Sequence, residues 1–412
     1  MKRKLLIVSL IVLLLTAAGF GLKAIPARGQ GAAGTTDEPL IEAVKRGDAA
    51  ATARLLSAGA DPNAKSAKDT RRPTVLMLAA VGGHREIASA LLAKGADVRA
   101  GDDVGTTALL YAAEGGQTAV LQELLDAGAD VNESNKFGDT ALILAAKFGR
   151  TDAARLLIPK GAELNAEKRQ VFDMLWLKNL LGFDDTTQLY SYEPGDKTAR
   201  DTDPEARIVA KANAFVVALV HGHEGTAQFL LDRGSRPSFL GDAGGAEVLK
   251  LAARRGYVGV VESLLAGKVD VNDAGRNGRT ALMEAARFGN VPVMKALLAR
   301  GAKVEARDAG GLTALLLAAR AGQVPALQML LGAGADLEAT DNTGGTALML
   351  AAEAGRADAL RALIDKGAKA ARKDKLGRTA AQRGEDAAQL QIVTSLGAKD
   401  AKGQPKDDGM WP

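Results

Sequence analysis

Residues 279–290 read RTALMEAARFGN, residues 312–323 read LTALLLAARAGQ, and residues 345–356 read GTALMLAAEAGR. One phrase returns at an interval of 33. Threonines hold the same place at Thr74, Thr107 and Thr140, and again at Thr280, Thr313, Thr346 and Thr379, with Glu247 filling the slot between the two series. A glycine follows nine residues later (Gly83, Gly116, Gly149, Gly256, Gly289, Gly322, Gly355), and in many units a second glycine comes twelve residues after that (Gly95, Gly128, Gly161, Gly301, Gly334, Gly367). Fixed self-similarity at this period is the mark of a stacked array rather than of one globular core.

Each unit predicts two short helices and a hairpin. The TALxxAA stretch reads as an inner helix, with Thr as amino-terminal cap and a pair of alanines that lets neighbouring helices come close. The first glycine ends it. An outer helix follows with a Leu pair, such as Leu91–Leu92, Leu124–Leu125 or Leu297–Leu298, turned inward. The second glycine stops that helix in a left-handed conformation. An ADVNxxDxxG segment then forms an extended arm and a tight turn. No unit can bury its apolar face alone, so burial requires neighbours.

GADVNESNKFGDTALILAAKFGR (128–150) and GADLEATDNTGGTALMLAAEAGR (334–356) resemble ankyrin repeats. The resemblance covers residues 38–168 and 213–396 and implies an all-α solenoid of nine repeats with hairpin loops, interrupted once. Three departures stand out. The family's usual TPLH reads TAL followed by Leu110, Ile143, Met283, Leu316 or Met349, so apolar packing is expected to replace the Thr–His hydrogen bond. Lys268 stands where a loop glycine is expected. The first unit, EPLIEAVKRGD (38–48), and the last, from Thr379, read as caps, and 397–412 as a flexible tail.

Gly149 and Gly222 are separated by one repeat plus 40 residues, which places an insert at 169–212. VFDMLWLKNLLG (171–182) has helical periodicity and reads as a degenerate inner helix. EARIVAKANAFVVALVHG (205–222) reads as a return to helix. Between them, 184–205 carries seven acids and two bases. Phe172, Trp176, Phe183, Tyr190 and Tyr192 make the insert aromatic. The stack is expected to bend or divide there, and the segment is either an exposed loop packed on its own stem or a recognition feature.

The amino end differs from the rest. MKRK precedes an uncharged apolar run from Leu5 to Leu22, which reads as an export signal over 1–23, cleaved near Ala24 or Ala27, with a linker to residue 37. An uncleaved anchor is the alternative, since 18 residues is near the lower limit for a span. Either form exports the remainder, and a periplasmic location is expected. Removing Lys2, Arg3, Lys4 and Lys23 takes the net charge from +4 to zero, so the basic balance gives no argument for nucleic-acid binding.

Chemistry-bearing patterns are sparse. With no cysteine there is no disulfide, thiolate metal site or thiol catalysis. The histidines are His84, His221 and His223, two of them in one repeat slot. HGHE (221–224) and DTDPE (201–205) lack the ligand spacing of zinc and calcium sites. No cofactor is implied and an enzyme is not expected; the alternative is an enzyme or metal protein with its site in 169–212.

Binding, by the resemblance, falls on hairpin tips and inner-helix faces. The candidate contact residues are Lys136, Phe137, Lys147, Phe148, Arg254, Arg276, Asn277, Arg279, Arg287, Phe288, Arg320 and Lys375. The carboxyl-terminal half is rich in cations at such positions, with Arg255, Arg307, Lys373 and Arg378 among them, while Asp308, Asp341 and Asp374 are expected to brace the turns. The reading is a monomeric, exported protein-binding scaffold for an acidic protein partner, touching a membrane only through an uncleaved amino end. The acidic segment 184–205 is complementary to that face and could compete for it.

Overall fold

The computed structural model describes residues 37–173, 207–237, 245–275 and 278–386. Among them eighteen helices form nine consecutive pairs. The inner helices are α1 (Asp37–Lys45), α3 (Val75–Gly82), α5 (Ala108–Gly115), α7 (Ala141–Lys147), α9 (Ala214–His221), α11 (Ala246–Arg255), α13 (Ala281–Phe288), α15 (Ala314–Ala321) and α17 (Ala347–Glu353). Their outer partners are α2 (Ala49–Ser57), α4 (Arg85–Ala93), α6 (Thr118–Asp126), α8 (Thr151–Leu157), α10 (Glu224–Asp232), α12 (Val258–Ala266), α14 (Val291–Ala299), α16 (Val324–Gly332) and α18 (Ala357–Asp365). A further inner helix, α19 (Ala380–Asp386), packs on α17.

The repeated residues act as their chemistry dictates. The alanine pairs, from Ala79–Ala80 to Ala351–Ala352, are completely buried, so helix backbones meet with little between them. Leu91, Leu124 and Leu297 are fully buried, while their following leucines are half-buried at the margin of the core. One continuous apolar cluster runs from Leu40 to Ala380. Thr74, Thr140, Thr280, Thr313 and Thr346 each accept a hydrogen bond from the backbone N–H three residues on, and Asn213 does the same for α9. The Thr–His bond has a partial substitute: the Thr74 and Thr280 N–H groups donate to the sulfurs of Met77 and Met283 at 3.3 and 3.4 Å.

Three sets of contacts tie each repeat to the one before it. In several repeats the residue after the inner-helix glycine reaches back to a carbonyl at the preceding helix end. Arg150 Nε donates to Glu114 O (3.0 Å), Tyr257 Oη to Gly222 O (2.9 Å), and Asn290 Nδ2 to Ala253 O (2.8 Å). The asparagine of the extended arm binds the next repeat's arm: Asn132 Oδ1 accepts from Glu163 N and Asn272 Oδ1 from Lys303 N, at 2.9 and 2.8 Å. Hairpin tips join by backbone bonds, as from Lys136 N to Val104 O and from Lys375 N to Thr343 O.

The interruption corrects the sequence reading. Lys168–Asp173 forms strand β1 and Arg207–Ala212 forms strand β2, paired antiparallel with Phe172 opposite Ile208 and Val171 opposite Val209. Residues 171–173 and 207–212 were expected to be helical. Their β-branched and aromatic residues suit a two-stranded ribbon, and the helix starts only where Asn213 caps it. Residues 174–206, with the rest of the insert's aromatic and acidic residues, lie outside the described residues.

The stack is not divided at this point. His223 Nε2 bonds Lys147 O at 2.9 Å across the insertion, Asn165 Oδ1 accepts from Arg236 N at 2.8 Å, and the Thr151 and Thr226 hydroxyls meet at 2.6 Å. The first two are the contacts that other neighbours make, so the ribbon leaves the array as a side branch from the hairpin position.

One loop shows local strain. Lys268 has φ +70, where the other outer helices are followed by glycine, and Gly267 occupies the preceding position where others carry Ala, Lys or Arg. A Cβ at Gly267 would make only ordinary contacts. The double change Gly267→Ala, Lys268→Gly should therefore stabilise the chain by about 1–2 kcal/mol, read as a higher denaturant midpoint at unchanged slope.

Candidate partner-binding face

The inner helices end in a row of side chains at equivalent positions: Val81, Glu114, Lys147, Val220, Arg254, Arg287, Arg320 and Glu353. Three arginines in succession belong to α11, α13 and α15. One residue further on stand Phe148 and Phe288, 36% and 38% exposed. Arg254 and Arg287 lie over the Phe288 ring at 4.5 and 5.5 Å, and Lys147 over Phe148 at 5.6 Å. The aromatic rings are thus held by cations on the exposed face. Burial draws the Arg254 guanidinium down to about 10; Arg287, Arg255 and Arg279 add to this, and Glu284 opposes it.

Beneath this row lies a charged cluster that the sequence reading missed. Glu284 is 1% exposed and neither carboxylate oxygen has a hydrogen-bond partner. Its slot in the other internal repeats holds Leu78, Tyr111, Leu144, Val217, Leu251, Leu317 or Leu350, and only the terminal units carry charge there, as Glu42 and Arg383. Burial raises its carboxyl above the usual range, while Arg279, Arg287, Arg254 and Lys250 pull it back. In the adjoining repeat Lys250 Nζ donates to Glu247 Oε1 at 2.7 Å, both side chains buried. Glu247 and Lys250 occupy the threonine and methionine positions of the other repeats, so an ion pair replaces the Thr–Met contact. The signal was visible in the repeat alignment as charged residues in apolar slots.

Glu284→Leu should raise stability at neutral pH by about 1–3 kcal/mol, because desolvation of the carboxylate outweighs its attractions. The sign with pH follows. The folded state binds this proton more tightly than the unfolded chain, so wild-type stability falls as pH rises from the ordinary carboxylate range through the raised value. The variant should lack that fall, as denaturation across a pH series would show.

The predicted contact residues divide. Lys136 and Phe137 are exposed at a hairpin tip, with Lys136 Nζ also donating to Asp103 O at 2.8 Å. Phe137 is 54% exposed. Lys147 and Phe148, Arg254, Arg287 and Phe288, and Arg320 lie on the inner-helix row, and Lys375 is an exposed tip residue. Arg276 and Asn277 lie outside the described residues. Arg279 differs: it is 6% exposed, with Nε 3.2 Å from Asp308 Oδ2 and Nη1 3.6 Å from Glu284 Oε1. Its place before the capping Thr280 points it under the next hairpin, so it braces the stack. Other cations also have internal tasks: Arg255 Nη2 donates to Val220 O, Arg307 Nη1 to Thr340 O, and Arg378 to Asp374. The tip aspartates brace turns, as when Asp308 Oδ1 accepts from Gly310 N and Leu312 N, both at 2.9 Å.

A groove of about 330 Å³ opens beside this cluster, lined by Arg279, Arg287, Leu317, Arg320, Ala321, Ala354 and Arg356. A second, between α16 and α18 on the outer side, holds about 240 Å³ and mixes Asp358 and Asp365 with Arg361 and Lys366. Its charges balance, and Asp358 pairs with Arg361 on the same helix. The inner groove alone is uniformly cationic.

Among the described residues no cluster of three or more His, Asp or Glu side chains could hold a metal. His223 is occupied by the Lys147 carbonyl, and DTDPE lies outside the described residues. No helix of the described residues is long and apolar enough to cross a membrane, and residues 5–22 fall outside them.

A helix-pair stack with hairpin loops and a variable inner face defines a solenoid repeat protein. The family model for ankyrin repeats in three copies matches residues 40–135, 100–168, 214–308, 249–341 and 315–407. These matches cover most of the sequence and stop on either side of the strand ribbon, and the chain belongs to the ankyrin repeat family. No curated protein matches it.

Proposed function

We propose that this chain is a non-enzymatic scaffold whose inner-helix face and hairpin tips bind an acidic protein partner in an exported compartment. Ankyrin repeats commonly mediate protein–protein interaction. The observation that carries the reading is Phe288, exposed between Arg254 and Arg287 on adjacent repeats. An aromatic anchor framed by arginines has the composition of an interface hot spot, and cations on one face attract an acidic partner. The stack holds these groups in place, so little ordering entropy is lost on binding. The chain acts as a monomer, without cofactor or nucleic acid.

A photo-crosslinking side chain at position 288 should capture a protein in the exported fraction, while the same group at Glu262, exposed on outer helix α12, should not. Equal labelling from both, or none from 288, would remove the reading. Export rests on the basic start and the apolar run 5–22. Amino-terminal sequencing of the mature chain should find cleavage after Ala24 or Ala27; an intact start in the membrane fraction would instead favour the tethered form.

A further inference from the structure

The groove beside Glu284 has features that the general interaction face does not explain. Its four polar lining residues are all arginines, and no acid is among them. Arg279 forms its fixed base, held by Asp308 and Glu284. Arg356 is fixed as well: its Nε donates to Arg320 O at 3.3 Å, and its side chain lies so close over Gly322 that a Cβ there would come within 2.9 Å of Cδ. Arg320 is exposed. Leu317, Ala321 and Ala354 give the groove an apolar wall of small side chains.

Like charges gathered around one opening repel each other. Arg279 and Arg356 tie neighbouring repeats together, but the slot of Arg287 and Arg320 holds valine, glutamate or lysine in other repeats, so stacking does not need arginine there. The neighbouring unit carries Glu353 in the slot of Arg287 and Arg320. Glu284, buried and without a hydrogen bond, supplies a countercharge from below. Residues that break the local rule of a repeat without stabilising the stack mark a functional site. The planar fork of arginine matches carboxylate geometry and can bind it by two parallel hydrogen bonds. The apolar wall suits the methylene stem of a glutamate.

We propose that the groove formed by Arg279, Arg287, Arg320 and Arg356 is a carboxylate-binding subsite that seats an acidic side chain of the partner's bound segment. Arg287 and Arg320 close on the carboxylate, Arg279 supplies fixed positive potential beneath it, and Phe288 packs the neighbouring apolar residue. The assignment rests on the inner-helix face being the partner-binding face, and it names what part of a partner that face reads.

The test uses the full chain and a short fluorescein-labelled peptide alternating glutamate with glycine, read by anisotropy, with a lysine–glycine peptide as control. The acidic peptide should bind and the basic one should not. Arg287→Glu with Arg320→Glu should weaken binding by about 30-fold or more, whereas Lys295→Glu on the exposed side of α14 should change it less than about twofold. Circular dichroism checks that each variant keeps its helices. Equal weakening by Lys295→Glu would show general charge attraction and overturn the subsite, as would unchanged binding by the double variant. Displacement of the peptide by sub-millimolar inorganic phosphate, with acetate ineffective, would overturn the carboxylate assignment. Crosslinking from position 288 that persists while the double variant binds normally would sink only the subsite. Loss of that crosslinking from wild type would sink the wider reading.

Discussion

Arg279→Ala should lower the unfolding free energy by about 3–5 kcal/mol, the largest single-residue effect expected in the stack. The residue is 6% exposed and stands between two buried carboxylates, Asp308 and Glu284. Removing it leaves both without their nearest cation, and Glu284 has no hydrogen bond to fall back on. Asp308 keeps its turn bonds from Gly310 and Leu312, so the greater cost falls on Glu284. The loss should shrink as pH falls and Glu284 takes up its proton, because the neutral acid no longer needs the guanidinium. Urea denaturation at neutral and mildly acidic pH checks both parts. A deficit under 1 kcal/mol, or one that grows toward acid, would contradict this role.

Gly149→Val should cost about 2–4 kcal/mol and fall on the junction that the insertion was expected to weaken. Gly149 has φ +67, and a Cβ there would sit 2.5 Å from His223 Nδ1. A branched side chain must displace the imidazole and with it the bond to Lys147 O. The change therefore combines backbone strain with loss of the contact that carries the stack from α7 to α9. Denaturation should show the two halves beginning to melt apart. A change of under half a kcal/mol at this site would mean that the His223 contact contributes nothing to coupling.

The helices and their order were legible because the repeat is written in small-residue and turn chemistry. Ala pairs, capping threonines and helix-ending glycines each have one good use, and the interval of 33 aligned them. Lys268 was legible for the same reason, as a side chain in a glycine position. The strands at 168–173 and 207–212 were not: RIVAKA is short, and its apolar residues fit a helix or a strand until a partner strand is present. The continuity across the insertion was hidden as well, since it depends on Asn165 meeting Arg236 and His223 meeting Lys147, pairs more than 70 residues apart. His223 had been placed in the right slot, but what that slot touches is a property of the neighbouring repeat.

The binding face was legible by position and less so by role. Phe288, Arg254, Arg287 and Arg320 fall on the exposed row that the repeat pattern indicates. Arg279 shares their charge and neighbourhood, yet its side chain turns under Asp308. Charge counts along a sequence cannot separate a cation facing solvent from one holding two buried acids. Glu284 lies beneath the tips and the variable row, and a carboxylate in a slot that the other internal repeats fill with Leu, Val or Tyr is a strong local inconsistency.

The central claim is that one undivided pile of repeats runs past the insertion. The chain contains no cysteine, so pairs of spin labels can be placed without background. Gln122→Cys with Gln228→Cys spans two repeat steps across the insertion, and Ser89→Cys with Arg155→Cys spans two steps without it, all four in the same outer-helix slot. Pulsed dipolar spectroscopy should give both pairs the same single, narrow distance distribution. A longer or broad distribution for the 122–228 pair alone would show that the stack parts at the ribbon.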